Sequence, residues 1–156
     1  MTQPSFVSEE FFPRGTYDLF ISHGWRYTDE WQSLVAAFDA FVPGKWRNWS
    51  LPWYDTSIES YTDTGKAQLH CLLVGQISMA SAVLVIPELI ERPDSNSWLQ
   101  TEIAIARDFQ KPLIGIALEG DRAFPVELEA TMDVVVPRDP QSILKAIENI
   151  GKHFVA

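Results

Sequence analysis

Glu102 stands out because of the residues one turn to either side of it. At about 100° per residue, Trp98, Glu102, Ile105 and Phe109 share one helical stripe beside a second of Leu99, Ile103 and Ala106. A glutamate on a helix is ordinarily a solvated surface residue. One held among apolar neighbours is desolvated, which raises a carboxyl pKa and marks the group as a candidate for chemistry. The second candidate region is Tyr17-Asp18-Leu19-Phe20-Ile21-Ser22, followed by His23-Gly24-Trp25-Arg26-Tyr27. Its apolar run is continuous rather than alternating, as in a strand buried on both faces of a parallel sheet. The run stops at Ser22-His23-Gly24. Ligands of open α/β sheets bind beyond the carboxyl ends of the strands, so a loop bearing Ser22, His23, Trp25 and Arg26 is a candidate site.

Several other chemistries lack their residues. There is no P-loop, and no glycine-rich dinucleotide fingerprint follows the first strand. His23, His70 and His153 are scattered, and the single cysteine, Cys71, has no partner for a zinc site or a disulfide. A receiver domain would place acidic residues where Ser22-His23 stands.

The elements that must position these residues can be read in order. Residues 1–16, with Phe6, Phe11 and Phe12, read as an N-terminal arm laid over a domain of residues 17–156. Thr28 caps a helix whose buried face carries Trp31, Leu34, Val35, Phe38 and Phe41 or Val42, ended by Pro43-Gly44. Lys45 to Ser50 reads as an aromatic, basic loop before a second strand at Leu51 to Tyr54, with Pro52 placing that strand at an edge. A helix from Gly65 buries Leu69, Leu72, Leu73 and Ile77, and Ala82 to Ile86 form a third strand. The Ser97-Trp98-Leu99-Gln100 pattern predicts a capping box opening the helix of Glu102. Leu113 to Leu118 and Val134 to Val136 follow as strands, with a loop and one short helix between them. Asp139 caps a last helix with Pro140 at its first position, ending before Gly151. This alternation predicts a flavodoxin-like three-layer αβα sandwich with a five-stranded parallel sheet in the order 2-1-3-4-5.

The chain has 156 residues, 46% of them hydrophobic, enough for one domain with a sizeable core. Its 21 acidic and 12 basic residues leave a net charge of −9, which disfavours nucleic acid as a partner. No stretch approaches the about 18 apolar residues of a membrane span, and residues 1–16 have no signal-like apolar core. A cytoplasmic protein, without a membrane partner, is expected.

Taken together and in order, several of these pieces resemble a TIR domain. They are Asp18 to Trp25, Asn48-Trp49-Ser50-Leu51-Pro52, Gln76-Ile77 with Ala82 to Ile86, Ser97 to Ile103, and Lys111 to Ile116. The likeness is to the compact bacterial and archaeal group that includes the Thoeris antiphage-defence proteins. It departs from many TIR domains at Leu99, where those carry a cysteine.

The resemblance implies an enzyme that cleaves the nicotinamide–ribose bond of NAD+, with NAD+ as substrate and no further cofactor. Glu102, four residues beyond Trp98, takes the place of the family's essential glutamate. Phe20, Ser22, His23, Trp25, Arg26, Tyr54, Asp55 and Trp98 would line the nucleotide pocket, Trp25 stacking on a ring and Arg26 meeting the diphosphate. A cyclic ADP-ribose isomer, a separate effector protein that responds to it, and a homo-oligomer are the implied product and partners. Two alternatives stay open: a catalytically silent TIR-type interaction module, and another N-glycoside-processing enzyme such as a nucleoside deoxyribosyltransferase.

Overall fold

A computed structural model describes residues 15–23, 28–50, 61–120 and 122–154, with backbone alone at 93–95 and 151–154. Its strands are β1 (Tyr17–Ile21), β2 (Trp46–Asn48), β3 (Ala82–Val85), β4 (Leu113–Ile116) and β5 (Val134–Val136). All pairings are parallel, in the order β2-β1-β3-β4-β5, so the fold is flavodoxin-like as the alternation of elements predicts. The helices are α1 (Asp29–Phe41), α2 (Asp63–Met79), α3 (Pro93–Asp108), α4 (Val126–Glu129) and α5 (Pro140–Phe154), with a 3-10 helix at Pro87–Glu91. Helix α1 packs with α5, and α2 with α3. Right-handed crossovers put these two pairs on opposite faces of the sheet.

Burial on both faces explains the continuous apolar runs. Leu19, Phe20 and Ile21 of β1 and all four residues of β3 are inaccessible to solvent. The apolar stripe of α1 buries Trp31, Leu34 and Phe38, and Val42 rather than Phe41 completes it. Thr28 caps this helix as expected, its hydroxyl accepting from the Trp31 N–H at 3.2 Å. Asp139 does the same for α5, accepting from the Ser142 N–H at 2.8 Å.

The departures from the sequence reading are largest at three boundaries. The second strand is Trp46–Asn48, inside the stretch read as a loop, whereas the expected Leu51 to Tyr54 lies outside the described residues. Side-chain anchoring fixes this register: the Asp18 carboxylate accepts from Arg47 Nε at 2.5 Å and from Trp49 Nε1 at 2.9 Å. The Trp49 N–H also donates to the Leu19 carbonyl at 2.9 Å. Helix α3 begins at Pro93, ahead of the expected capping box, because proline at a first helical position loses no hydrogen bond and already has the right φ. Ser97 is therefore an exposed residue inside the helix. Helix α5 continues through Gly151 to Phe154, a glycine costing only about 1 kcal/mol relative to alanine in a helix.

Candidate functional site

The carboxyl end of β1 is locked to its neighbour before the chain leaves the sheet. Ser22 donates its N–H to the Leu84 carbonyl at 2.8 Å, and its hydroxyl accepts from the Ile86 N–H at 2.7 Å. Ser22 thus ties the ends of β1 and β3 together at the point where the strand order reverses. His23 follows immediately. Its ring lies 5.5 Å from the Phe20 ring, centroid to centroid, tilted by 41°.

Glu102 reaches the same place from α3. Its Oε2 stands 3.9 Å from His23 Nδ1, and both side chains are sealed from solvent, at 0% and 1% exposure. Leu99, Ile103, Ile105 and Ala106 of the same helix are buried around it. The separation would suit an ion pair if the imidazole were charged. Burial instead pushes the His23 pKa down to about 3, so the ring is neutral at ordinary pH. The contact is a neutral imidazole facing a carboxyl group.

Trp98 lies one turn before Glu102, half-buried against the core. Phe109, expected on the same stripe, is exposed because α3 ends at Asp108 and the chain turns away. The structure therefore brings together Phe20, His23 and Glu102, with Ser22 next in chain and Trp98 on the helix above. Phe20 is fully buried beneath the histidine, and the Ser22 oxygen is already engaged as an acceptor. Trp25, Arg26, Tyr54 and Asp55 lie outside the described residues.

No family model, curated protein or solved structure matches this chain. Among the described residues, no group of three or more histidine, cysteine, aspartate or glutamate side chains is placed to hold a metal ion, and no helix is long and apolar enough to cross a membrane.

Two open hollows lie apart from the buried pair. One, of about 440 Å³, sits between α1 and the strand ends, walled by Asp29, Glu30, Glu88, Glu119, Arg122 and Arg138. Both of its arginines are already paired: Arg138 donates to Glu88 at 2.7 Å and to the Ala117 carbonyl at 3.0 Å, and Arg122 donates to Glu91 at 3.2 Å. The other, of about 840 Å³, lies at the amino edge of the sheet beside Arg107 and Lys111. Neither includes His23 or Glu102. The desolvated carboxyl group at the switch point carries more chemical meaning than either hollow.

The sequence reading missed a second buried polar cluster. Trp31 Nε1 donates to Ser50 Oγ at 3.1 Å, and the Ser50 N–H and hydroxyl both turn to Asn48 Oδ1. This network joins α1 to the end of β2. The Asn-x-Ser spacing was its sequence signal, since an asparagine side chain readily accepts from the backbone two residues on.

Proposed function

We propose that this chain is a TIR-type enzyme that cleaves the nicotinamide–ribose bond of NAD+ with Glu102 as the catalytic carboxylate. The observation that carries the reading is a glutamate with no solvent exposure, at the switch point of a flavodoxin-like sheet, a turn beyond a half-buried tryptophan. Burying an ionisable group costs free energy that an aliphatic residue would not, so such a residue is a functional candidate on physical grounds.

The chemistry fits one carboxylate. As the C–N bond breaks, nicotinamide leaves as a neutral molecule with the bonding pair, and positive charge develops on the ribose. A nearby carboxylate stabilises that charge or holds the ribose hydroxyls, and a low-dielectric surrounding strengthens the interaction. Nicotinamide is already cationic in NAD+, so no general acid is needed, and a neutral His23 is compatible with that. An incoming oxygen then bonds to the ribose carbon and releases its proton to solvent. Water gives linear ADP-ribose, whereas a hydroxyl of the same ADP-ribose unit gives a cyclic isomer. The resemblance to the Thoeris group favours the cyclic product, acting as a messenger to a separate effector in antiphage defence.

Glu102 reaches no solvent in this structure, so the ribose meets it only after the side chains that cover it move apart. The same burial is the observation that favours a second reading, an assembly module in which the pair is purely structural. Incubating purified protein with NAD+, and separately with deoxynucleosides, distinguishes the possibilities. Free nicotinamide supports the proposal, base exchange on deoxynucleosides would redirect it, and an inert protein favours the module.

A further inference from the structure

We propose that His23 is a positioning residue that holds the Glu102 carboxylate in its productive orientation. This deepens the reading of Glu102 as the group that stabilises the ribosyl cation and rests on it. A glutamate has several rotatable bonds, and a charge that acts on a transition state must be placed to within a fraction of an ångström. The His23 ring is well suited to fix it. Ser22 is hydrogen-bonded to both Leu84 and Ile86 one residue earlier, Phe20 lies against the ring, and the ring has no exposure.

The nitrogen facing Glu102 is Nδ1, 3.9 Å from Oε2. That is about an ångström beyond a hydrogen bond. Catalytic hydrogen bonds are often long in empty sites and tighten when substrate is bound. A proton on Nδ1 would then donate to the carboxylate and fix its rotamer. The neutrality of the ring matters as much as its position. An imidazolium would offset the negative charge that the developing cation needs, whereas a neutral N–H orients the carboxylate and leaves its charge available.

Two variants and one spectrum test the assignment. His23→Phe keeps a ring without a donor, and His23→Asn keeps an amide nitrogen near the position of Nδ1. In nicotinamide release, His23→Phe is expected to lose on the order of 10²-fold in kcat, the scale of a 1 Å misplacement, with the KM for NAD+ little changed. His23→Asn should recover most of that loss. Equal kcat in all three proteins would overturn the proposal, as would a fall in KM affinity alone. Melting curves limit the kinetics to folded protein. The imidazole ¹⁵N spectrum, recorded with a non-cleavable NAD+ analogue bound, needs no turnover: the wild type should carry its proton on Nδ1, and Glu102→Ala should shift it to Nε2. An Nε2 proton in the analogue-bound wild type overturns the contact even if the enzyme is active. A wild type that releases no nicotinamide rejects the enzymatic reading instead, whatever the tautomer.

Discussion

His23 Nδ1 and Glu102 Oε2 face each other across 3.9 Å, one from the end of β1 and the other from the middle of α3, with neither side chain reaching solvent. Burial makes the imidazole resist protonation, and this has a thermodynamic consequence that does not depend on any catalytic role.

In the unfolded chain His23 titrates near its ordinary value of 6.5, whereas in the folded protein it titrates at about 3. The folded-state pKa is depressed, so the unfolded state binds the extra proton between these values. Stability is therefore full above pH 6.5 and declines as pH falls toward 3, by at most about 1.4 kcal/mol per pH unit. Asp18, held low by its hydrogen bond from Arg47, adds to the loss only in the carboxylate range further down. Urea unfolding at pH 7, 6 and 5 should show the decline in the wild type and a flatter profile in His23→Asn. Parallel profiles would mean that the ring is not desolvated.

Ser22→Ala should destabilise the protein by about 1–3 kcal/mol, because it leaves the buried Ile86 N–H without the acceptor it has at 2.7 Å. Chemical denaturation measures this directly. A change near zero would show that the Ile86 amide finds another acceptor, and the tie between β1 and β3 would be weaker than the geometry suggests.

Much of the fold was legible because its strongest signals are local. β1, β3 and β4 are buried on both faces, so their apolar runs are continuous, and β5 was placed on the same evidence. Thr28 and Asp139 announced their helices through capping chemistry. β2 was misplaced because an edge strand of three residues has little pattern of its own. Its register depends on Asp18, which is distant in sequence from Arg47 and Trp49. The start of α3 was misread because a proline and a capping-box pattern compete within a few residues. Glu102 was legible as an anomaly in an apolar stripe. That its neighbour would be His23 was not, since a helix pattern says nothing of which strand end it faces.

The identity of the product separates depletion of NAD+ from signalling. A protein-free filtrate from active enzyme, examined by mass spectrometry, should contain a species lighter than ADP-ribose by one water. Linear ADP-ribose alone would reject cyclisation and leave simple NAD+ hydrolysis. Excluding water long enough for an internal hydroxyl to react requires a closed site, and the sealed surroundings of Glu102 fit that requirement.

Nicotinamide release by wild type and Glu102→Gln, assayed side by side with NAD+ in excess, tests the central claim most directly. Glutamine keeps the shape of the side chain and removes its charge, so the variant should melt near the wild type, and a comparable melting curve certifies the comparison. The account predicts release by the wild type and none above background by the variant. Equal turnover by the two proteins would contradict it.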